Sequence, residues 1–341
     1  MTDLTSKKTL IIGGSRGIGA AIVRRFVKDG AQVAFTYSGS HDAAQALSAD
    51  TGATAIRSDA ADRQQVVDVV AQQGPLDILV VNAGVAMIGD PLTFEADAVD
   101  RMIDINVRAP YHAAVEAART MADGGRIIVI GSVNGDAVPF AGAAAYAMTK
   151  SALQGMARGL ARDLGERGIT VNIIQPGPVD TDMNPADGEI AGMVMPFMAI
   201  KRYGKATEIA GMAEQEAGHR AKFDALMARR SVRPTALQPF WDRAGFALGA
   251  VTALIGPEAA MACTAAVETE IDDHYSRQLD QLEASGEDPE LAAMIEEFRE
   301  DEREHRDAAL AAGAERAPAY PLLSGLIRIG CRAAIRISER V

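Results

Sequence analysis

The sequence predicts two successive domains, an α/β domain built on a doubly wound parallel sheet and then an all-α helical bundle. In the first two-thirds of the 341 residues, short runs rich in β-branched residues alternate with amphipathic helical stretches. This alternation is typical of a parallel sheet covered by helices on both faces. From Thr207 onward only helical periodicity remains. We therefore predict domains of residues 1–212 and 213–341.

Each predicted strand is followed by a turn and then a helix or a loop, as a doubly wound sheet requires. The six candidate strands are Thr9–Ile12, Gln32–Tyr37, Ala53–Arg57, Ile78–Val81, Arg126–Ile130 and Thr170–Ile174. Beyond the last strand, the Met- and Gly-rich segment Gly188–Ala199 is predicted to form a mobile lid.

Composition restricts the classes of function. The net charge of −12, of which −8 lies beyond Met212, argues against binding to a nucleic-acid polymer. Cys263 and Cys331 are too few for a disulfide framework, so we expect a reducing, cytoplasmic location without a signal peptide. The longest apolar stretch, Phe246–Ile255, is about half the ~20 residues needed to cross a bilayer, although it could lie on a membrane surface.

A glycine-rich turn, Gly13-Gly14-Ser15-Arg16-Gly17-Ile18-Gly19, stands between the first strand and its helix. Glycines at this place let the backbone turn tightly and approach a pyrophosphate at the helix N-terminus. An NAD site would also place an acid at the end of the second strand, where this chain has Tyr37-Ser38-Gly39. Because Arg16 can pair with a 2′-phosphate, we predict NADP(H) as the cofactor.

A second motif, Tyr146-Ala-Met-Thr-Lys150, places a phenol and an ammonium one turn apart on the same side of a helix. A nearby cation favours the phenolate, so the tyrosine can exchange a proton near neutral pH. Ser132 follows a strand, Asn106 lies on a helix, and Asn82-Ala83-Gly84 follows the fourth strand.

Together these motifs and Pro176-Gly177 resemble the short-chain dehydrogenase/reductase family over about residues 5–212. The resemblance implies hydride transfer between NADP(H) and a carbonyl or alcohol. Tyr146 would be the acid/base, Lys150 would lower its pKa and hold the ribose, Ser132 would bond the carbonyl, and Asn106 would support the proton relay. The expected cofactor contacts are Gly13, Ser15, Arg16, Gly17, Ile18, Gly19, Ser38, Asp59, Ala60, Asn82, Ala83, Gly84, Tyr146, Lys150, Pro176, Gly177 and Val179.

Two details refine this resemblance. The segment Gly131-Ser-Val-Asn-Gly-Asp136 is similar to a bacterial subgroup linked to cyclic-di-GMP binding and biofilm dispersal. The family's last helix and last strand are expected to be missing, and that strand normally completes the sheet and supports the substrate pocket.

The last third of the chain contains two Glu-x-x-His pairs, Glu216/His219 and Glu302/His305, with Glu268 between them. On helices, such pairs can direct carboxylates and imidazoles to one point, as in carboxylate-bridged di-metal bundles. Each of the three glutamates lies on the predicted apolar face of its helix: Glu216 with Met212, Glu268 with Tyr275, and Glu302 with Ile295. We therefore expect these acids to face inward. Glu270 is expected to be better solvated. The alternative is that acid-rich helices produce such pairs by chance.

Segments such as Ala260-Met-Ala-Cys-Thr-Ala-Ala-Val-Glu268 resemble the demethoxyubiquinone hydroxylase family from about residue 210 to the end. The resemblance implies a ferritin-like di-iron monooxygenase of ubiquinone biosynthesis, bound at a membrane surface. Its ligand positions correspond to Glu216, His219, Glu268, Glu302 and His305. The family's first helix, with a sixth ligand, is expected to be missing, and five ligands would bind one iron adequately and a bridged pair poorly.

The final helix carries Arg328, Arg332, Arg336 and Arg340 at steps of four beside apolar residues. This pattern suits an anionic membrane surface on the inner face of the cell membrane. Packing within a bundle explains it equally well.

Three interpretations remain open. In the first, the chain is a fusion in which a dehydrogenase supplies reducing equivalents to a quinol hydroxylase. In the second, it is a reductase with a structural or membrane-binding appendage. In the third, it is a fusion remnant with neither site complete. We favour partial function in each domain. The expected partners are a small carbonyl or quinone substrate and further copies of the chain in a homo-oligomer.

Overall fold

The computed structural model describes residues 4–188, 190–198, 200–217, 248, 252, 255–285, 288–311 and 313–338. The chain divides into two compact units, Met1–Arg229 and Arg230–Val341, called here the N-terminal unit and the helical unit. Residues 218–247, around the dividing point, lie outside the described residues. The domain boundary near residue 212 therefore stays a prediction.

The N-terminal unit is built on a six-stranded parallel sheet with the order β3-β2-β1-β4-β5-β6, which confirms the predicted fold class. Four predicted strands match residue for residue, and the other two differ by one residue at their start. The strands are β1 Lys8–Ile12, β2 Gln32–Tyr37, β3 Thr54–Arg57, β4 Ile78–Val81, β5 Arg126–Ile130 and β6 Thr170–Ile174.

Helices cover both faces of the sheet, and successive side chains of each strand alternate between them. On β1, Ile11 enters one core, while Leu10 and Ile12 enter the other. The helices are α1 Gly17–Lys28, α2 His41–Thr51, α3 Arg63–Gln73, α4 Ala96–Ile103, α5 Ala109–Thr120 and α6 Ala144–Leu164, with a π-helical turn, Asp104–Arg108, between α4 and α5.

The segment predicted to be a lid contains a short helix, α7 Ala191–Val194. Ala191 and Val194 are buried against Tyr203 in a small apolar cluster. A two-residue parallel pair, β7 Val179–Asp180 and β8 Gly204–Lys205, flanks the segment. Glu189 and Ala199 lie outside the described residues, and the mobility of the segment stays a prediction.

A further helix, α8, spans residues 206–217, and its Ala210 and Ala213 are buried in the same core as Ile11. The expected absence of the family's last helix and last strand stays a prediction. We expected Met212 of α8 to face inward with Glu216, but Met212 is 49% exposed. The helix buries its alanines because small side chains allow it to approach the sheet closely.

The helical unit contains α9 Pro257–Ser285, α10 Pro289–Ala311 and α11 Tyr320–Ser338. Its core is rich in alanine, and Ala262 and Ala265 of α9 are buried with Ala309 of α10. The predicted stripe on α10 is supported by the burial of Ile295 and Ala309. No helix within the described ranges is both long and apolar enough to span a membrane.

Candidate functional site

The glycine turn lies between β1 and α1 and leaves no room for side chains at Gly13 and Gly19. Gly13 has a φ of +84°, and a Cβ atom on it would lie 2.7 Å from the Cα of Ala83. A Cβ on Gly19 would collide with the carbonyl oxygen of Gly13. That oxygen accepts a hydrogen bond of 2.6 Å from the Asn82 side chain. Glycine is therefore required here for close packing, as a backbone cradle for phosphates needs.

A cleft of about 380 Å³ opens above this turn at the carboxyl ends of the strands. Thirteen of the predicted site residues line the cleft: Gly13, Ser15, Arg16, Gly17, Ile18, Ser38, Asp59, Ala60, Asn82, Ala83, Gly84, Tyr146 and Lys150. The structure therefore brings most of the predicted cofactor contacts to one cavity. Gly19 supports the cleft from below, through its contact with Gly13.

At one end of the cleft, Ser38, Gly39 and Ser40 follow β2 and present no carboxylate. Arg16, which precedes α1, is exposed and lines the same cavity. Asp59, after β3, accepts hydrogen bonds from the Ala61 amide and from the Arg101 guanidinium. Burial acts to raise the pKa of Asp59, but these two donors outweigh it, so the pKa is lowered overall.

At the other end, Tyr146 of α6 lines the cleft beside Ser132, which follows β5 and does not itself line the cleft. The Ser132 side chain acts to lower the pKa of the Tyr146 phenol, which places the two side chains next to each other. The Nζ atom of Lys150 lies 5.9 Å from the centroid of the Tyr146 ring and donates to the Ile130 carbonyl at 3.0 Å. The phenol and the hydroxyl that the sequence predicted to act together are therefore adjacent.

Burial governs the electrostatics of this pair. Burial raises the pKa of Tyr146, and the hydrogen bond with Ser132 only partly opposes the rise. Burial also lowers the pKa of Lys150 to about 8. The expected lowering of the Tyr146 pKa by Lys150 stays a prediction. Tyr146 therefore keeps its proton at neutral pH.

Asn106 holds two walls of the cleft together. It lies fully buried in the π-helical turn. Its Oδ1 atom accepts a hydrogen bond of 2.9 Å from the Val85 amide, and its Nδ2 atom donates to the Val85 carbonyl at 2.8 Å. The same Nδ2 atom donates to Thr149 Oγ1 at 3.0 Å. A π-turn is often found at a functional site. The Asn106 side chain thus fixes the loop after β4 against α6, and its predicted role in a proton relay stays a prediction.

Pro176, Gly177 and Val179 follow β6 and do not line the cleft. The Pro176 carbonyl accepts a hydrogen bond of 3.0 Å from the Val133 amide, so this loop supports the segment that carries Ser132. Other residues line the cleft without having been predicted: Thr36, Arg101, Ile105, Thr181 and Met183. The order of the strands and the position of α4, which no local motif encodes, determine their place.

In the helical unit, Glu268 of α9 and Glu302 of α10 form a carboxyl pair. Burial, followed by the hydrogen bond and the charge of Glu302, raises the pKa of Glu268 to about 8. The buried Oε2 atom of Glu268 has no hydrogen-bond partner. Two adjacent carboxyl groups with an unsatisfied buried oxygen fit a bound cation, because a cation would neutralise their repulsion and complete their bonding.

The remaining predicted metal ligands are placed differently. Glu216 lies on α8 of the N-terminal unit, and its Oε2 accepts a hydrogen bond of 2.7 Å from Asn172 of β6. His219 and the side chain of His305 lie outside what the structure describes. Among the residues that are described, no three His, Cys, Asp or Glu side chains cluster in a way that could hold a metal ion. The five-ligand set therefore stays a prediction.

Glu270 corrects another expectation. It is only 1% exposed, whereas the sequence suggested a solvated side chain. The Nε atoms of Arg328 and Arg332, both on α11, lie 2.5 and 3.1 Å from its carboxylate. Two arginines of the predicted basic face therefore form ion pairs inside the helical unit. Arg336 is exposed, and contact with a membrane stays a prediction.

Comparison with known proteins gives a family match for each of the two parts of the chain. Residues 7–190 match the model of the short chain dehydrogenase family, and residues 189–338 match that of ubiquinone biosynthesis protein COQ7. A cyclic-di-GMP-binding biofilm dispersal mediator protein of Escherichia coli K12 is 62% identical over 223 residues, which make up 65% of this chain and 94% of that protein. The chain belongs to the short chain dehydrogenase family.

Other relatives support both assignments. A crystal structure of BdcA in complex with NADPH has a TM-score of 0.64 and 62% identity over 65% of this chain and 91% of that one. A 3-demethoxyubiquinol 3-hydroxylase of Rhodospirillum rubrum is 55% identical over 131 residues, 38% of this chain. The chain spans only 60% of that hydroxylase's length. Both predicted resemblances are confirmed.

The glycine turn of this short-chain dehydrogenase can be tested by Gly19→Ala. Because the new methyl group would collide with the Gly13 carbonyl and lie 2.7 Å from Asn82 Nδ2, we expect a loss of about 1–3 kcal/mol of stability. Gly159→Ala is the matched control, since a Cβ at this position on α6 meets nothing within 4 Å. It should stabilise the protein by about 0.5–1 kcal/mol. Urea unfolding measures both, and equal effects would contradict the packing argument.

The burial of Lys150 predicts a dependence of stability on pH. Its pKa is about 8 in the folded dehydrogenase, against the ordinary value of 10.5. Between these values the unfolded chain binds more protons, so the stability of the wild type should rise with pH relative to Lys150→Met. Denaturant unfolding across this range measures the difference. Parallel stability curves for the two proteins would contradict the prediction, and Lys28→Met, at an exposed position, is the control.

Proposed function

We propose that the N-terminal unit is an NADP(H)-dependent reductase of small carbonyl compounds. The observation that supports this most directly is the pairing of Tyr146 with Ser132 at one end of a cleft whose glycine turn leaves room for a pyrophosphate. BdcA, which is 62% identical, was crystallised with NADPH. When bound, NADPH would supply a hydride to the substrate carbon.

Ser132, Tyr146 and Lys150 would bind the carbonyl oxygen and supply the proton. The hydroxyls of Ser132 and Tyr146 can both bond one carbonyl oxygen, because the two side chains lie next to each other. Tyr146 holds its proton at neutral pH, as a general acid for carbonyl reduction must. Lys150, with a pKa of about 8, can exchange a proton near neutral pH and so restore the phenol. These properties favour reduction over alcohol oxidation.

The adenosine end supports NADP(H) over NAD(H). Ser38 occupies the place at the end of β2 where an acid would bind ribose hydroxyls and repel a phosphate. Arg16 is exposed at the same cavity, where a guanidinium can pair with the 2′-phosphate.

For the helical unit we propose metal binding without full hydroxylase activity. Glu268 and Glu302 would hold iron, together with the predicted ligand His305 of the same unit. Iron would supply oxygen activation towards a quinol substrate. Support comes from the unsatisfied Oε2 of Glu268 and from the similarity to the hydroxylase family. The chain covers 60% of the hydroxylase relative, so we infer only partial function for the helical unit.

The reductase proposal predicts separable effects for two substitutions. Tyr146→Phe should lower kcat by about 100-fold or more while NADPH binding persists, because only the proton donor is removed. Arg16→Ala should weaken NADPH binding and leave NADH binding unchanged. Fluorescence titrations and NADPH oxidation with small aldehydes, ketones and quinones measure these effects. Tyr111→Phe, at an exposed tyrosine of α5, is the control, and equal affinity of the wild type for NADPH and NADH would refute the role of Arg16.

The metal proposal predicts that iron copurifies with the protein. Glu268→Gln and Glu302→Gln should each lower the iron content by more than half, because each removes a charged ligand. Glu300→Gln, at an exposed position on the same helix as Glu302, should not. Mass spectrometry gives the iron per chain, and Mössbauer spectra distinguish a coupled pair from a single ion. Iron near zero in the wild type would reduce the helical unit to a scaffold.

A further inference from the structure

Arg101 and Asp59 lie on opposite walls of the nucleotide cleft and join them. Asp59 follows β3, and Arg101 lies on α4, yet one Nη2 atom of the guanidinium is 3.2 and 3.0 Å from the two carboxylate oxygens. Both side chains line the cleft. The pair is therefore part of the binding cavity, and it connects two elements that the sequence separates by 42 residues.

The position of this pair along the sheet identifies the part of the ligand that it faces. Asp59 follows β3 and Ser132 follows β5, and these strands are four steps apart in the order of the sheet. At about 4.8 Å per step, the two ends of the cleft are about 19 Å apart. If Tyr146 acts at the reacting end of a bound dinucleotide, the base at its other end would face Asp59.

Hydrogen bonds hold the Asp59 carboxylate in one orientation and keep it ionised. Its Oδ1 atom accepts from the Ala61 amide at 3.0 Å, and its own amide donates to Gln65 at 2.9 Å. Arg101 supplies the contact from the opposite wall. With its pKa lowered, Asp59 is ionised at neutral pH and acts only as an acceptor. An exocyclic amino group, such as that of adenine, is the matching donor.

We infer that Arg101 is a positioning residue for the base of the cofactor: it orients the Asp59 carboxylate towards the amino group of adenine, and so makes the cleft prefer adenine dinucleotides. This inference rests on the proposed binding of NADP(H). Arg101 acts through Asp59, not by contact with the reacting atoms. Its side chain is 56% exposed, so the pair adds little to stability, and its effect lies in orientation.

The test is a set of NADPH titrations by fluorescence on the full chain. Arg101→Ala should weaken NADPH binding by about five- to tenfold, with kcat at saturation unchanged. Arg101→Lys should lose part of this affinity, because an ammonium keeps the charge and loses the planar fork. Arg108→Ala is the matched control, since Arg108 pairs with Asp104 on its own helix. Unfolding temperatures should agree among all these proteins.

A double-mutant cycle separates positioning from a direct contact. Because Arg101 acts through Asp59, the double variant Arg101→Ala/Asp59→Ala should bind NADPH no more weakly than Asp59→Ala alone. The hypoxanthine analogue of NADPH, which carries a carbonyl in place of the amino group, should bind the wild type at least tenfold more weakly than NADPH. Arg101→Ala should reduce this preference for NADPH over the hypoxanthine analogue. Reduced nicotinamide mononucleotide, which lacks the base, should bind all variants equally.

The outcomes distinguish the role of Arg101 from the binding of NADP(H) itself. Additive effects in the cycle, an unchanged preference for adenine, or normal NADPH affinity in Arg101→Ala would each overturn the role of Arg101 and leave the reductase proposal intact. Failure of the wild type to bind NADPH would overturn both.

Discussion

The nucleotide cleft depends on the close approach of two turns where the strand order reverses, between β1 and β4. Asn82 and Ala83 donate their amides to the Ile12 carbonyl, and the Asn82 side chain bonds the Gly13 carbonyl. These contacts leave no space for a Cβ at Gly13. Because the connections after β1 and β4 leave the sheet towards opposite faces, a crevice opens at this point.

The helical unit is organised by acids at alternate positions of α9. The Glu270 carboxylate is neutralised by arginines of α11, and that of Asp272 by Arg303 and Arg306 of α10. Glu268 instead has another carboxyl group, Glu302, as its neighbour. The same helix thus contains ion pairs, which hold the bundle together, beside a like-charge pair, which is unfavourable until a proton or cation is shared.

The sequence allowed the strands and most of the cleft to be predicted, because both leave local signals. β-Branched runs mark β2 and β5 residue for residue, and the spacing of Tyr146 and Lys150 places them on one helix face. The wrong expectations concern side chains whose partners are distant in sequence. Glu270 is buried only because arginines about sixty positions later reach it, and α8 buries its alanines because of the sheet on which it packs. Arg101 was missed for the same reason.

The packing of α8 also bears on where this polypeptide can be divided. The models of the two families meet near residue 190, which would suggest a cut there. However, α8 supplies Ala210 and Ala213 to the core beside β1, and Glu214 forms an ion pair with Arg25 of α1. A reductase fragment that ended at residue 190 would expose this apolar surface to water and leave the edge strand β6 without the bond between Asn172 and Glu216. Among the described residues, those that form this core extend to Ala217, inside the region that resembles the hydroxylase.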